Sequence, residues 1–311
     1  FAGWFTGYTP LDYGNVSRAH GSDLLSEYDD VLPSSQRYNF FLTGDYDIDS
    51  FFGIEGTTAF FEASHSNSQT FLDSQFHGQL CPTVPDTNPF NPFQAGAVGL
   101  GVVPIIASPF QRSDVDVEIQ QTRFLTGLRG DLGFMGAPSW DFETFAGYTR
   151  SIGYSARGAV LNERMLQTIN TTQQTAPGVF SCGTPDAELF GFLDTDPCVP
   201  VNFFAPSLYI YDPAVGPSFA TQAEFDYLAA ERTVTTLVDE FLAGGFITGP
   251  LFSLADGEVS GVLGWEFRET GLDSGVDTVA ATGSAAGYFA DRLSVGSVNM
   301  AEYYGEMSFP L

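Results

Sequence analysis

The chain has 311 residues, 43% hydrophobic and only 16% charged, and its 38 acidic residues outweigh 11 basic ones, all arginine, for a formal net charge of −27. That balance excludes nucleic acid as a partner, since phosphate binding needs a basic surface; it fits a hydrated exterior that attracts cations or simply keeps the chain soluble. No run reaches the roughly 18 apolar residues of a membrane-crossing helix, and the longest, Ala95 to Ala107, is interrupted by glycines and Pro104.

Residues 1–36, rich in Gly, Ser, Asp, Tyr and Pro, read as loop. A side-chain period of two then predicts a first strand from Arg37 to Asp47, with Tyr38, Phe40, Leu42 and Tyr46 on one face and Asn39, Thr43, Asp45 and Asp47 on the other. Ile48-Asp49-Ser50 is a tight turn, and a second strand covers Phe52 to Ser66. A long Pro-rich segment, 67–119, follows. Gln120 to Gly133 predicts a third strand, with Phe124, Leu128 and Leu132 opposed to Arg123, Arg129 and Asp131. After a turn at Phe134–Ser139, Trp140 to Tyr154 predicts a fourth, whose Trp140, Phe142, Ala146 and Tyr148 oppose Asp141 and Glu143. The second long segment, 156–230, holds helical patches near Glu163–Ile169 and Gln222–Ala230. A fifth strand, Glu231 to Phe246, alternates poorly, because adjacent Asp239 and Glu240 give each face an acid; a bulge would explain this. The chain turns over Pro250–Glu258, with Asp256-Gly257 as the tight element. Val259 to Glu269 is a sixth strand, and a Gly/Ala/Ser-rich loop fills 271–296. Ser297 to Phe309 is a seventh, with Ala301, Tyr303, Met307 and Phe309 opposed to Glu302, Tyr304, Glu306 and Ser308.

Short turns thus alternate with long segments. Structureless loops beyond about 15 residues are uncommon in compact soluble domains, whereas brief turns at one end and large loops at the other mark a membrane barrel. The predicted fold is all-β: an antiparallel transmembrane β-barrel section with long extracellular loops. A soluble all-β protein is the competing reading.

No catalytic constellation stands out, and no enzymatic activity or cofactor is expected. His20, His65 and His77 lack metal-ligand spacing. Asp45-Tyr46-Asp47-Ile48-Asp49 begins like a calcium loop, but Ser50 and Gly56 occupy the positions that require Gly and Glu. Cys182 and Cys198 lie in one polar segment and could close a small loop, implying an oxidising compartment; otherwise all three cysteines are free or buried thiols. Cys81 is left over. Phe1-Ala2-Gly3-Trp4 has neither the basic start nor the apolar block of a signal peptide, so the start reads as the interior of a longer protein or a processed product.

Gly264-Trp265-Glu266-Phe267-Arg268-Glu269 and Ala301-Glu302-Tyr303-Tyr304-Gly305-Glu306-Met307-Ser308-Phe309-Pro310-Leu311 resemble strands of the TonB-dependent outer-membrane receptors of Gram-negative bacteria. Asn88-Pro89-Phe90-Asn91-Pro92-Phe93 and Cys198-Val199-Pro200-Val201-Asn202-Phe203-Phe204 resemble loop motifs of the same family. The resemblance runs from about Arg37 to Leu311. It implies that 1–36 is an extracellular loop, and that 37–311 is part of a 22-stranded barrel with long loops at 67–119 and 156–230. In the family a plug domain fills the barrel and a short box binds TonB; neither is seen here, nor is a final aromatic strand. About seven strands would leave unpaired edges in lipid, so the chain reads as a portion of a barrel, or as one completed by other chains.

The implied location is the bacterial outer membrane, and the implied function active import of a substrate bound at the extracellular loops. The implied partners are outer-membrane lipid and lipopolysaccharide, the plug and remaining strands, TonB through the plug, and an unidentified small molecule or peptide. Glu62, Arg123, Arg129, Asp131, Glu143, Glu266, Arg268, Glu302 and Glu306 form the expected lumen-facing polar set, contacting the plug or lining a substrate path. The sequons at Asn15 and Asn170 are chance matches in such a protein. The alternatives are a passive porin or structural barrel built from several chains, and a secreted all-β binding protein.

Overall fold

A computed structural model describes residues 32–48, 56–72, 79–93, 101–104, 106–107, 115–133, 137–183, 196–208, 218–255 and 257–310. Eleven strands occur among them: β1 (Ser34–Ile48), β2 (Thr57–Leu72), β3 (Gln79–Leu80), β4 (Ile106–Ala107), β5 (Val115–Leu132), β6 (Ala137–Val160), β7 (Gln173–Ala176), β8 (Val179–Ser181), β9 (Ala229–Leu254), β10 (Gly257–Val276) and β11 (Ser294–Ser308). The long ones form a single antiparallel sheet in the order β1-β2-β5-β6-β9-β10-β11, and β3-β4 and β7-β8 are small separate pairs. Each long strand pairs with its neighbours along the chain. The connections β1–β2, β5–β6 and β9–β10 lie at one end, the turn end; the long ones, β2–β5, β6–β9 and β10–β11, lie at the other, the loop end.

All seven expected strands are present, and each extends past its expected bounds at the loop end, while β2 is described only from Thr57 and β5 and β11 stop one residue short at the turn end. β2 continues to Leu72 and β5 starts at Val115, so both strands run into the segment read as loop 67–119; β6 runs to Val160, inside the segment read as 156–230. β1 starts at Ser34, inside the segment read as loop 1–36. β9 continues through Pro250 to Leu254 and β10 begins at Gly257, which shortens the turn read as Pro250–Glu258. Gly257 has φ +147°, a conformation glycine adopts without strain. Positions 49–55, which hold the first expected turn, and Asp256 lie outside the described residues.

Asp239 and Glu240 need no bulge. The β9–β10 register is regular there, and its one irregularity, between Val259 and Ser260, falls opposite the stretch near Pro250. Asp239 simply lies beyond Phe241 on the same face, where that face has turned polar.

The main buried core lies at the loop end, packed on the tips of β6 and β9. Phe203, Ile169, Leu208, Leu228, Val84, Val160 and Val201 are wholly enclosed there, with Leu80, Met165, Phe219 and Tyr227 packed around them. The helix Asn162–Thr171 buries Met165, Thr168 and Ile169, one stripe at i, i+3 and i+4. The helix Gln222–Leu228 starts with a reciprocal capping box between Thr221 and Glu224. A third, Thr278–Thr282, is N-capped by Asp277 and stopped by left-handed Gly283.

The two Asn-Pro-Phe repeats bind this unit together. Asn88 accepts from the Phe90 N–H and donates to the Ile169 carbonyl (2.9 and 2.8 Å). Asn91 accepts from the Phe93 N–H and donates to the Val84 and Pro85 carbonyls. Asn202 repeats the turn by accepting from the Phe204 N–H. Asn88 and Asn91 each both donate and accept through the side-chain amide while fixing sharp turns. Cys182 and Cys198 are disulfide-bonded, with Cα atoms 5.7 Å apart, and Cys81 is free and exposed.

Candidate functional site

The register sorts every long strand into two faces, since directly opposed residues share a side. Tyr38, Phe40, Leu42 and Tyr46 of β1, Phe61 of β2, Phe124 of β5, and Phe142 and Tyr148 of β6 share one face with Phe241 and Ile247 of β9, Leu263, Trp265 and Phe267 of β10, and Tyr303 and Met307 of β11. This face is uncovered: Phe40 is 69% exposed, Tyr46 72% and Tyr303 86%. Contiguous apolar surface on this scale is rare on a soluble monomer. A shallow open groove of about 420 Å³ lies on it, walled by Phe142, Ile247, Leu263, Trp265 and Tyr303, with Thr144 and Gly245 between them.

The apolar surface is a band. On β6 it is bounded by Trp140 and Tyr148, beyond which comes Arg150. Tyr148 donates to the Asp239 carboxylate, and Arg150 pairs with Asp239 at 3.7 Å. In the same row His65 Nδ1 lies 2.9 Å from Thr122 Oγ1. Towards the loop end the outer rows are polar: the Asn67 and Gln120 amides both donate to Glu118.

The loop-end boundary of the band is oblique to the rows of paired residues. On β1 the last apolar residue, Tyr38, lies level with Ile152 of β6; on β10 it is Phe267, level with Ala146. On β11 Ala301 stands in the same row as Phe267, and polar Asn299 and Ser297 follow it towards the loop end, ahead of Val295. Six residues of drop across six strand spacings correspond to about 20 Å of rise over about 29 Å of width, or about 35° between strand and band normal. The stretch from Trp140 to Tyr148 then spans about 22 Å of band height at that tilt.

The other face holds all nine residues of the polar set. Glu62 pairs with Arg123 across β2–β5 (3.5 Å), Arg129 with Asp45 (2.6 Å), and Arg268 with Glu266 (2.6 Å). Arg129 also lies over the Phe60 ring, 5.5 Å from its centre. Asp131 accepts from the Gly133 N–H (2.9 Å), and Glu143 stands opposite Arg129. Glu302 stands opposite Glu266 and Glu306 opposite Val262; neither makes an ion pair among the described residues. Asp47, Asp141 and Glu240 lie on this face as well. The register therefore brings the set onto one surface as cross-strand pairs, without gathering it into a single pocket.

Period-two reasoning placed Tyr304 on the polar face but missed Phe60 and Phe145 there. Phe60 lies flat over Gly127, Phe145 over Gly244 and Tyr304 over Gly264; a Cβ at Gly127 would collide with the Phe60 ring and the Thr144 carbonyl. Ring-over-glycine contacts of this kind support a sheet where glycine offers no side chain. The sequence signal was an aromatic placed directly opposite a glycine, visible only once the register is known.

Among the described residues no group of His, Cys, Asp and Glu could hold a metal ion, and no helix is long and apolar enough to cross a membrane. Glu224, in the loop core, accepts backbone N–H bonds from Thr221 and Asn202, yet burial raises its pKa above the usual value.

No protein-family model matches the chain, and no curated protein matches it. Among solved structures it has weak similarity to the ferric-catecholate import receptor Fiu from E. coli K12 in its open form, with a TM-score of 0.32 and 15% identity over 90% of this chain and 33% of that one. The chain thus spans about a third of that receptor's length.

Proposed function

We propose that the chain forms seven neighbouring strands of an outer-membrane β-barrel that imports a substrate by TonB-dependent active transport. The observation that carries this reading is the uncovered apolar band. Its height of about 22 Å and tilt of about 35° compare with about 25 Å and 35–45° for outer-membrane barrels. With the apolar face against lipid, the paired carboxylates and guanidinium groups line a wet interior, where exposed ion pairs are worth only about 0–1 kcal/mol each. That weakness suits a surface that must exchange contacts with a plug or a passing substrate.

The loop end carries capture. Its enclosed core and disulfide hold the outer segments in a fixed shape, so a ligand meets a preorganised surface, which lowers the entropic cost of binding. Substrate binds outside at these loops; TonB, energised by the proton-motive force, acts on the plug and lets it pass.

Whole cells producing the full receptor test this, with radiolabelled ferric chelates, a corrinoid, an oligosaccharide and a peptide offered in turn. The reading expects one probe to bind at the surface and to enter only while the membrane is energised and TonB is present. Entry that persists in a tonB deletion strain contradicts active transport and indicates a passive pore.

A further inference from the structure

Two adjacent rows of the polar face combine aromatic rings with carboxylates. From β6 to β11 one row reads Phe145, Gly244, Glu266, Glu302; the next, towards the turn end, reads Glu143, Phe246, Gly264, Tyr304. Phe145 covers Gly244 and Tyr304 covers Gly264. Each ring therefore turns one face to backbone and leaves the other to the interior, and Tyr304 is 43% exposed. The face of an aromatic ring is the negative part of its quadrupole and attracts cations.

The same wall shows that pairing completed on its other side. Phe60 covers Gly127 in the Phe145 row. The Arg129 guanidinium stands 5.5 Å from the centre of the Phe60 ring and bonds to the Asp45 carboxylate at 2.6 Å. Around Phe145 and Tyr304 the rings and carboxylates recur without the guanidinium. Arg268, one row away, holds Glu266 at 2.6 Å. Among the described residues Glu302 makes no ion pair and no arginine stands over either ring. Asp45, Asp47, Glu143, Glu266 and Glu302 share these two rows with a single guanidinium, Arg129. Glu302 also stands directly opposite Glu266, and like charges so placed repel; a cation bound beside them removes that penalty.

Resting on the import reading, we propose that Phe145, Tyr304 and Glu302 form a docking point on the interior wall for a small organic cation, and that the cargo of this path carries a guanidinium or alkylammonium group. An anion meets both the negative ring faces and the excess of carboxylates. A neutral cargo gains the rings but leaves the carboxylates unpaired. A strongly hydrated ion gains little from the rings, whereas a guanidinium is weakly hydrated and stacks on them. In a wet interior each ring contributes about two- to five-fold in affinity, weak enough for a solute in transit to leave.

The test uses the full receptor in detergent at low salt and two probes of one shape, butylguanidinium and uncharged butylurea. Saturation-transfer NMR titrations give their dissociation constants. Butylguanidinium is expected to bind more tightly, by a margin that shrinks as salt rises. Tyr304→Leu and Phe145→Leu each weaken its binding about two- to five-fold, and Tyr304→Phe, which keeps the ring, recovers the loss. Arg129→Gln vacates Phe60 and Asp45 and adds a second site, a gain that no folding defect produces. Equal affinity for the two probes overturns the inference. So does a cation affinity unmoved by both leucine variants in protein that still migrates as a heat-modifiable folded barrel. Absence of binding, the result expected where a plug sets its own cations on these rings, overturns it as well. Entry of a substrate without TonB contradicts the import reading and leaves these binding constants as they stand.

Discussion

Placing a charge on each face of β6 in turn separates lipid from water. Thr144 lies midway between Trp140 and Tyr148 on the apolar face and is exposed. Four residues of about 3.3 Å rise, at the tilt of about 35°, set it roughly 11 Å of height from either boundary, beyond the reach of an arginine head. Thr144→Arg then costs about 2–4 kcal/mol, the penalty for arginine at the midplane of a barrel's lipid face, or roughly a thirty- to thousand-fold loss of folded, inserted protein. Thr144→Leu removes the same hydroxyl bond to the Gly244 carbonyl (3.2 Å), so the difference between the two variants isolates the charge. Thr149→Arg, on the opposite face between Arg123 and Glu240, changes stability by no more than about 0.5 kcal/mol. The assay is urea-titrated insertion of the assembled protein into phospholipid vesicles, read by protease protection. Equal midpoints for Thr144→Arg, Thr144→Leu and Thr149→Arg would refute the assignment of the apolar face to lipid.

The loop unit gives three further predictions. Asn88→Ala leaves the buried Ile169 carbonyl and the Phe90 N–H without their partner, costing about 1–3 kcal/mol; limited proteolysis cleaves the 79–93 segment faster, while the sheet stays protected. Cys182→Ser with Cys198→Ser opens a loop of sequence separation 16 and lowers the unit's stability by about 3 kcal/mol, with a lower first transition in a thermal melt. Burial raises the Glu224 pKa, so the fold favours its protonated form. That stabilising contribution is complete below the ordinary glutamate value of 4.5 and is lost as pH rises through the higher folded value. The loop transition therefore falls in temperature as pH increases across that window, and Glu224→Gln flattens the dependence; a transition that rises with pH contradicts the sign.

Strand existence was legible because one face of each strand needed apolar residues and the other did not. That contrast holds only within the band. Beyond Tyr154 the alternation stops, because Ala159 and Val160 pack into the loop core, and the strand ends set by hydrogen bonding and loop packing could not be read. The same change of surroundings made Asp239 beside Glu240 look like a defect. Face assignment of the polar set needed only parity within each strand. Partner choice, such as Arg129 with Asp45 rather than Asp131, needed the register between strands. The loop core was the least legible part, because it joins residues from 80 to 286 with no local period. Asn88 and Asn91 were noticed as a motif, yet their side-chain bonds to distant carbonyls leave no trace in the sequence beyond the repeat.

Trp265 and Trp140 offer the most direct measurement, since both lie on the face assigned to hydrocarbon. Brominated acyl chains quench indole emission only on contact. In vesicles of brominated phospholipid, emission is expected to fall strongly relative to unbrominated vesicles, and Trp265→Phe should remove a large part of the quenchable signal. Emission indifferent to bromine yet readily quenched by aqueous acrylamide would show that this face meets water, and the barrel account would be wrong.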